Sequence, residues 1–304
     1  MIEALQLGAS LYVPATRADL LPIGNRRRYP NLRSVIFCTE DAIGPGDVHQ
    51  ALSNVEQMLP RLEPSGLMRF VRVRNAVMLR QILQMDGARN LTGFVIPKAT
   101  RHNLDDYLSA LAPDDPYQLM PILETAEVFD PAEMTKLRDL LLRDSCRGRI
   151  LSLRIGGNDL LQLLGLRRPR ARTIYATPLG SVIAQLVTVF RPCGFNLTGP
   201  VCEWLKRGRL LARESRGDVA RGLFGKSAIH PEQIAAIESA YRVNEKDLES
   251  AERILAEGAA PVFRLHDAMC EPATHRAWAM LLHERARLFG VRAVVRRFNG
   301  HTIA

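Results

Sequence analysis

Two apolar segments decide how this chain folds: QLMPILET at 118–125 and RILSLRIGGNDLL at 149–161, the first carrying Glu124 near its end and the second Asp159. Between them lies a stretch with helical period that opens on Asp130-Pro131-Ala132-Glu133, a capping-box spacing with proline at the first helical position, and continues through Met134, Leu137, Leu140 and Leu141. Strand, helix, strand at this length reads as a βαβ unit, whose parallel strands place their C-terminal ends on one edge of the sheet. Glu124 and Asp159 therefore become neighbours. Two carboxylates brought together repel, and a divalent cation offsets that repulsion; Mg²⁺ takes one or two carboxylates together with water and substrate oxygens.

Outward from this unit, short runs rich in Val, Ile and Phe recur at 10–15, 34–41, 67–75, 93–99, 194–201 and 220–229, with helical segments between most of them. With 118–125 and 149–156 they make eight candidate strands. Residues 46–62 carry Val48, Ala51, Leu52, Val55, Met58, Leu59 and Leu62 as one apolar stripe. Eight strands alternating with helices match an α/β fold of the (β/α)₈ TIM-barrel type, with a doubly wound open sheet as the fallback. The barrel is preferred because Glu40, Asp41, Arg72, Arg74, Lys98, Glu124 and Asp159 all fall at or just after a strand's C-terminal end, the rim where barrel enzymes keep their chemistry. Residues 1–240 are read as the catalytic barrel and 241–304 as a helical extension or lid. In that extension 272–289 forms a helix with Gly290 as its cap, and APVFRLHDAMCEP at 260–272 is apolar enough to pack on the barrel or on another subunit.

Composition narrows the class. The chain has 304 residues, 47% hydrophobic and 24% charged, enough for a large core. Five cysteines, odd in number and without a CxxC pair, argue against a disulfide framework and a zinc ribbon and for a reducing compartment. No secretory leader pattern and no long apolar run appears, so a cytoplasmic protein without a membrane partner is expected. The net charge of +9 is spread in ones and twos, clustering only at Arg26-Arg27-Arg28 and from Arg167 to Arg172. With 6% aromatics and no nucleic-acid motif, it suits phosphate-bearing small ligands or solvated surface better than nucleic acid.

The ordered set YVPATR (12–17), EDAI (40–43), VRV (71–73), IPK (96–98), LET (123–125), NDL (158–160) and GKSAIHP (225–231), with DAMCEP at 267–272, resembles the citrate lyase β-subunit-like branch of the 2-keto-diacid aldolase/citrate lyase (HpcH/HpaI aldolase) superfamily. The resemblance implies a TIM barrel that binds Mg²⁺ and usually an acyl-CoA. Its members make or break a carbon–carbon bond between an acetyl-CoA-type enolate and a 2-oxo acid, and form homotrimers or hexamers in which the C-terminal segment covers a neighbour's site.

Carried over by position, Glu124 and Asp159 match the metal ligands and Arg72 the catalytic arginine. Arg74 shares strand parity with Arg72, so periodicity does not separate the two. Glu40 and Asp41 are read as hydrogen-bond partners of Arg72 or of metal-bound water. Arg17, Lys98 and Lys226 are candidates for the phosphates of CoA, and Glu271, from a neighbouring subunit, for a general base or acid. His230 reads as part of a helix start.

The chain departs from the family pattern in four places. Gly157-Asn158 replaces Ala-Glu before Asp159, Ala99-Thr100 stands where a Glu often follows Pro-Lys, and Asn196-Leu197-Thr198 replaces an Asp before Gly-Pro. Met269-Cys270-Glu271 replaces Met-Ile-Asp. The expected activity is Mg²⁺-dependent cleavage or formation of a 3-hydroxyacyl-CoA of the citryl- or malyl-CoA type. An acyl-CoA thioester hydrolase or synthase on the same site, a CoA-independent 2-oxo acid aldolase, and a barrel kept for binding or assembly stay open.

Overall fold

A computed structural model describes residues 3–292, 297–298 and 301–302. Eight parallel strands form one sheet: β1 (Ala9–Pro14), β2 (Ser34–Cys38), β3 (Met68–Arg72), β4 (Gly93–Ile96), β5 (Gln118–Leu123), β6 (Leu153–Ile155), β7 (Leu197–Thr198) and β8 (Lys226–Ala228). Their order is β7-β6-β5-β4-β3-β2-β1-β8, and a parallel bridge between Gly199 and Lys226 joins the two ends into a barrel. The open doubly wound alternative is thereby excluded.

Every candidate strand overlaps an observed one, β1 starting one residue earlier at Ala9, but the last two are much shorter than their apolar runs. In 194–201, Gly194 is left-handed at φ 88° and Pro200 has no N–H for the ladder, leaving only Leu197–Thr198 paired. In 220–229, the helix Gly208–Ala220 takes the first residue, and Gly222 and Gly225 at φ 73° and 78° turn the chain before Lys226.

Side chains of alternate residues fill the barrel. Ile36, Phe70, Val95, Met120 and Ile122 are buried together with Leu5 and Leu7 of the short 3-10 helix Glu3–Leu7, which plugs the end where the strands begin. The outward-facing residues pack under the helices, and Ala51, Val55 and Met58 of the helix Val48–Met58 supply part of that layer. Asp130 caps the helix Pro131–Leu141 by accepting from the Ala132 amide at 2.8 Å. Glu133 does not close the capping box. It pairs instead with Arg101 and Lys136, which hold its carboxyl at about 2.

Beyond the helix Glu232–Tyr241, Asn244 caps a helix Glu245–Leu255, and a second long helix, Pro272–Phe289, ends at Gly290 with φ 80°. The 260–272 segment is not an apolar strap laid on the barrel. It is an antiparallel hairpin, Phe263–Leu265 with Ala268–Cys270, and Phe263, Leu265 and Cys270 pack on those two helices because together they make a small core of their own. The long helix in turn seats Leu281 and Leu288 against the plugged end of the barrel, where Arg33 Nη2 donates to Leu288 O at 2.5 Å. All five cysteines are free, and among the described residues no helix is long and apolar enough to cross a membrane.

Candidate active site

The end of the barrel at which the strands finish gathers charge from five of them, β2 to β6. Arg72, the last residue of β3, has the inward parity of Phe70 and sends its guanidinium into the mouth. Its Nη2 donates to Asp41 Oδ2 at 2.8 Å and Glu124 Oε1 at 3.1 Å, and lies 2.7 Å from Glu40 Oε2. Burial opposes the charge on Arg72, but Tyr12, Glu124 and Glu40 outweigh it and raise the arginine's pKa further. Its buried Nε has no hydrogen-bond partner. Arg74 donates instead to the carbonyls of Thr39, Glu40 and Ile43, so it shapes the loop after β2 and leaves the mouth to Arg72.

Glu124, just past β5, is nearly enclosed: its side chain is 2% exposed. Oε1 also accepts from the Lys98 amide at 2.9 Å. That contact requires Lys98 to sit at φ 49°, a left-handed conformation costly for a non-glycine residue, which the bond from Asn103 Nδ2 to Lys98 O helps to hold. Burial and the negative charge of Asp159 push the Glu124 carboxyl up to about 7 against the pull of Arg72. Asp159 stands in the first turn of the helix Gly157–Leu163, directly after β6.

Tyr12, Asp41, Arg72, Glu124, Arg154 and Asp159 line a single cavity of about 390 Å³. A larger cleft of about 860 Å³, edged by Arg26, Arg28 and Arg33, lies at the opposite end, among residues that precede β2 and β3. It lacks the converging carboxylates, and in this fold chemistry belongs to the other rim.

The remaining candidates do not line this cavity. Lys98 Nζ binds Glu40 Oε1 at 2.6 Å and Asp41 Oδ1 at 3.2 Å, so its charge orients the two acids that grip Arg72. Arg17 is fastened to Asp19 by two bonds of 2.7 Å, outside the cavity lining. Lys226 as a phosphate ligand is a correction. It is fully buried, with Nζ 3.0 Å from both Glu214 and Asp218, because those acids on the helix Gly208–Ala220 face the first residue of β8. Glu271 precedes the helix Pro272–Phe289, bonded locally by Thr274 Oγ1 at 3.2 Å, and does not line its own chain's cavity. His230 Nδ1 accepts from the Glu232 amide at 3.3 Å, a helix-start contact.

Sequence reasoning missed Tyr12, Arg154 and Ser227, which form the inner part of the cavity. A signal was present for one of them, since an arginine in the middle of the apolar run LSLRI is rare in a strand enclosed on both faces.

Closed parallel barrel and acid-rich, arginine-centred mouth together define a TIM-barrel enzyme. The chain belongs to the family described as C-C bond lyase of the TIM-barrel fold, which it matches over residues 1–291. It is 24% identical over 249 residues, 81% of each chain, to a (3S)-malyl-CoA thioesterase of Cereibacter sphaeroides. Its structure is similar to that of protein CitE from Mycobacterium tuberculosis in complex with magnesium, acetoacetate and coenzyme A, with TM-score 0.67 at 21% identity, covering 93% of this chain and 99% of that one. A citrate lyase from Burkholderia xenovorans LB400 gives TM-score 0.74 at 17% identity over 95% and 94% of the two chains.

Proposed function

We propose that this protein is a Mg²⁺-dependent carbon–carbon lyase that acts on a 3-hydroxyacyl thioester, releasing a 2-oxo acid and an acyl-CoA, or runs the reverse condensation. One observation carries the reading: Arg72, braced by Glu40, Asp41 and Glu124, shares its cavity with the Glu124–Asp159 pair.

The residues present fit a Mg²⁺ ion. Among the described residues no three or more His, Cys, Asp or Glu side chains form a metal cage, but Mg²⁺ needs only one or two carboxylates and keeps the rest of its shell as water and substrate. Glu124 and Asp159 would hold it, and it would polarise the 2-oxo acid oxygens there. The high pKa of Glu124 fits the same assignment, being that of a buried carboxyl beside a second acid with its countercharge incomplete.

In the cleavage direction the 3-hydroxyl gives up its proton, the bond between C2 and C3 breaks, and its electrons pass to the thioester as an enolate that is then protonated at C2. Arg72 supplies fixed positive charge to the oxygen on which negative charge develops, its position set by the three acids so that little reorganisation is needed. Glu271 from a second copy of the chain serves as the proton donor or acceptor. The exposed Val262, Met269, Trp278 and Met280 on the same C-terminal unit support its contact with another subunit, in a trimer or hexamer.

For the thioester's phosphates a groove of about 540 Å³, formed in part by the segment after β7, is a better seat than Arg17, Lys98 or Lys226. Arg170, Lys206, Arg207, Arg209 and Arg213 line it, with no acidic side chain among them.

Thioester hydrolysis is the second reading, favoured by the likeness to the (3S)-malyl-CoA thioesterase. Incubation with a panel of 3-hydroxyacyl-CoAs and Mg²⁺ separates the two. Release of 2-oxo acid with the thioester intact supports lyase activity, free CoA thiol without 2-oxo acid supports hydrolysis, and neither product with any member refutes both.

A further inference from the structure

The two arginines that line the cavity are held in opposite ways. Arg72 meets three carboxylates, whereas Arg154 is 1% exposed and has no carboxylate within ion-pair distance among the described residues. Arg154 reaches from β6 across the barrel. Its Nη2 donates to Ser227 Oγ on β8 at 2.7 Å, and Nη1 makes longer contacts of 3.4 Å to Ser10 Oγ on β1 and 3.6 Å to Met120 Sδ. Its Cζ lies 5.5 Å from the centre of the Tyr12 ring, and its buried Nε is unpartnered. Two hydroxyls, a thioether and a ring face supply dipoles but no countercharge, and a guanidinium cannot shed its proton to relieve the cost of burial.

Register places this charge along the cavity. Arg154 pairs with Ile122, two residues before Glu124, so its backbone sits about 7 Å deeper along the strands than the Glu124 level. Resting on the function proposed above, we infer that Arg154, with Ser227, forms an anion subsite at the cavity floor and is a specificity-determining residue. It receives a second carboxylate on the 2-oxo acid half of the substrate, whose first carboxylate lies at the Glu124–Asp159 end. One guanidinium matches the single charge of a carboxylate, and Arg154 lines the cavity with its Nε lacking a protein partner.

The test is calorimetric binding of 2-oxoglutarate and of 2-oxopentanoate, which differ only in the distal group, with and without Mg²⁺. Wild-type protein is expected to prefer the diacid by about tenfold or more, as a charge-assisted hydrogen bond implies. Arg154→Met should collapse that ratio towards one, Arg154→Lys should keep part of it, and Ser227→Ala should lower it even if Arg154→Met fails to fold. An unchanged ratio in folded Arg154→Met, or equal affinity for both acids in wild type, overturns the subsite. If either acid binds only with Mg²⁺ but without diacid preference, the subsite fails while the metal site stands. A diacid preference that depends on Arg154, with each acid bound equally well with and without Mg²⁺, keeps the subsite and removes the metal reading.

Discussion

Gly156 lies against Glu124 so closely that a Cβ added to it would fall 2.3 Å from Glu124 Cβ and 2.4 Å from Oε2. Its φ of −83° would suit any residue, so what requires glycine is space and not backbone conformation. Gly156→Ala is therefore expected to push the Glu124 carboxylate off its bonds to Arg72 and the Lys98 amide while leaving the sheet in place. Mg²⁺ titration should show affinity down at least tenfold with an unchanged circular dichroism spectrum. Normal affinity in that variant would remove Glu124 from the metal site.

Asp159→Asn tests the other half of the pair. It keeps the shape and deletes the charge, and Asp159 stands in the first turn of a helix, where an asparagine costs the fold little. Mg²⁺ affinity and turnover should fall together by about a hundredfold, a loss of roughly 3 kcal/mol of charge interaction. Full metal affinity in the asparagine variant would exclude Asp159 as a ligand.

The raised pKa of Glu124 sets a pH window. Its carboxyl titrates near 7 in the folded protein and near 4.5 when unfolded. Between those values the folded state holds the extra proton, so stability falls as pH rises through the window and is greatest below it. The full effect is at most about 3 kcal/mol, since a tenfold difference in proton affinity between the two states is worth about 1.4 kcal/mol. Metal-free wild type should lose thermal stability from pH 5 to pH 7.5 relative to Glu124→Gln, and Mg²⁺ at pH 7.5 should restore it. Parallel melting profiles for the two proteins without metal would show that Glu124 is ionised throughout.

Much of this was legible because barrels write their pattern locally. Apolar runs of strand length located β1 to β8, and the polar residues at the ends of five of them put Arg72, Glu124 and Asp159 on one rim. What escaped depends on partners distant in the chain or hidden by parity. Arg72 and Arg74 face the same way in a regular strand, and the difference arises because the chain leaves the sheet after Arg72 and turns Arg74 towards the carbonyls of the β2 loop. Lys226, in a loop-like GKSAIHP motif, reads as exposed until the helix before it presents Glu214 and Asp218, four residues apart on one buried face. The 260–272 segment showed its apolarity but not the tight turn at His266, left-handed at φ 52°, that makes it a hairpin.

The burial of Lys226 carries its own test. Burial favours its neutral form, but Asp218 and Glu214 outweigh that and raise its pKa, so it remains a cation between two acids. Lys226→Met takes away the ammonium that Asp218 and Glu214 share and leaves only the Arg168 guanidinium on Glu214, which should cost about 3–5 kcal/mol in denaturant unfolding. Acyl-CoA affinity of the protein that remains folded should be unaltered. A selective loss of affinity with normal stability would return Lys226 to the phosphate site.

The C-terminal unit gives the most demanding prediction, because two of its parts point in different directions. The helix Pro272–Phe289 is bound to its own barrel: Leu281 and Leu288 pack on the plugged end, Phe289 stacks 5.2 Å from Tyr241, and Arg285 Nη2 donates to Tyr241 O at 3.1 Å. Truncation after Gly258 should therefore lower stability as well as abolish activity, so it is a poor test of a shared site. Glu271 at the head of that helix is the better probe, since it can be changed without uncovering the barrel. Glu271→Ala and Arg72→Ala proteins should each be inactive alone, losing about a hundredfold or more as a missing proton-transfer or oxyanion group implies. If each site draws Arg72 from one chain and Glu271 from another, a mixture allowed to exchange subunits contains some sites with both residues, and activity should return to a fraction of wild type. Recovery that follows the rate of subunit exchange would support the shared site. A fully active Glu271→Ala protein, or no recovery in a mixture shown by mass to have exchanged, would rule it out.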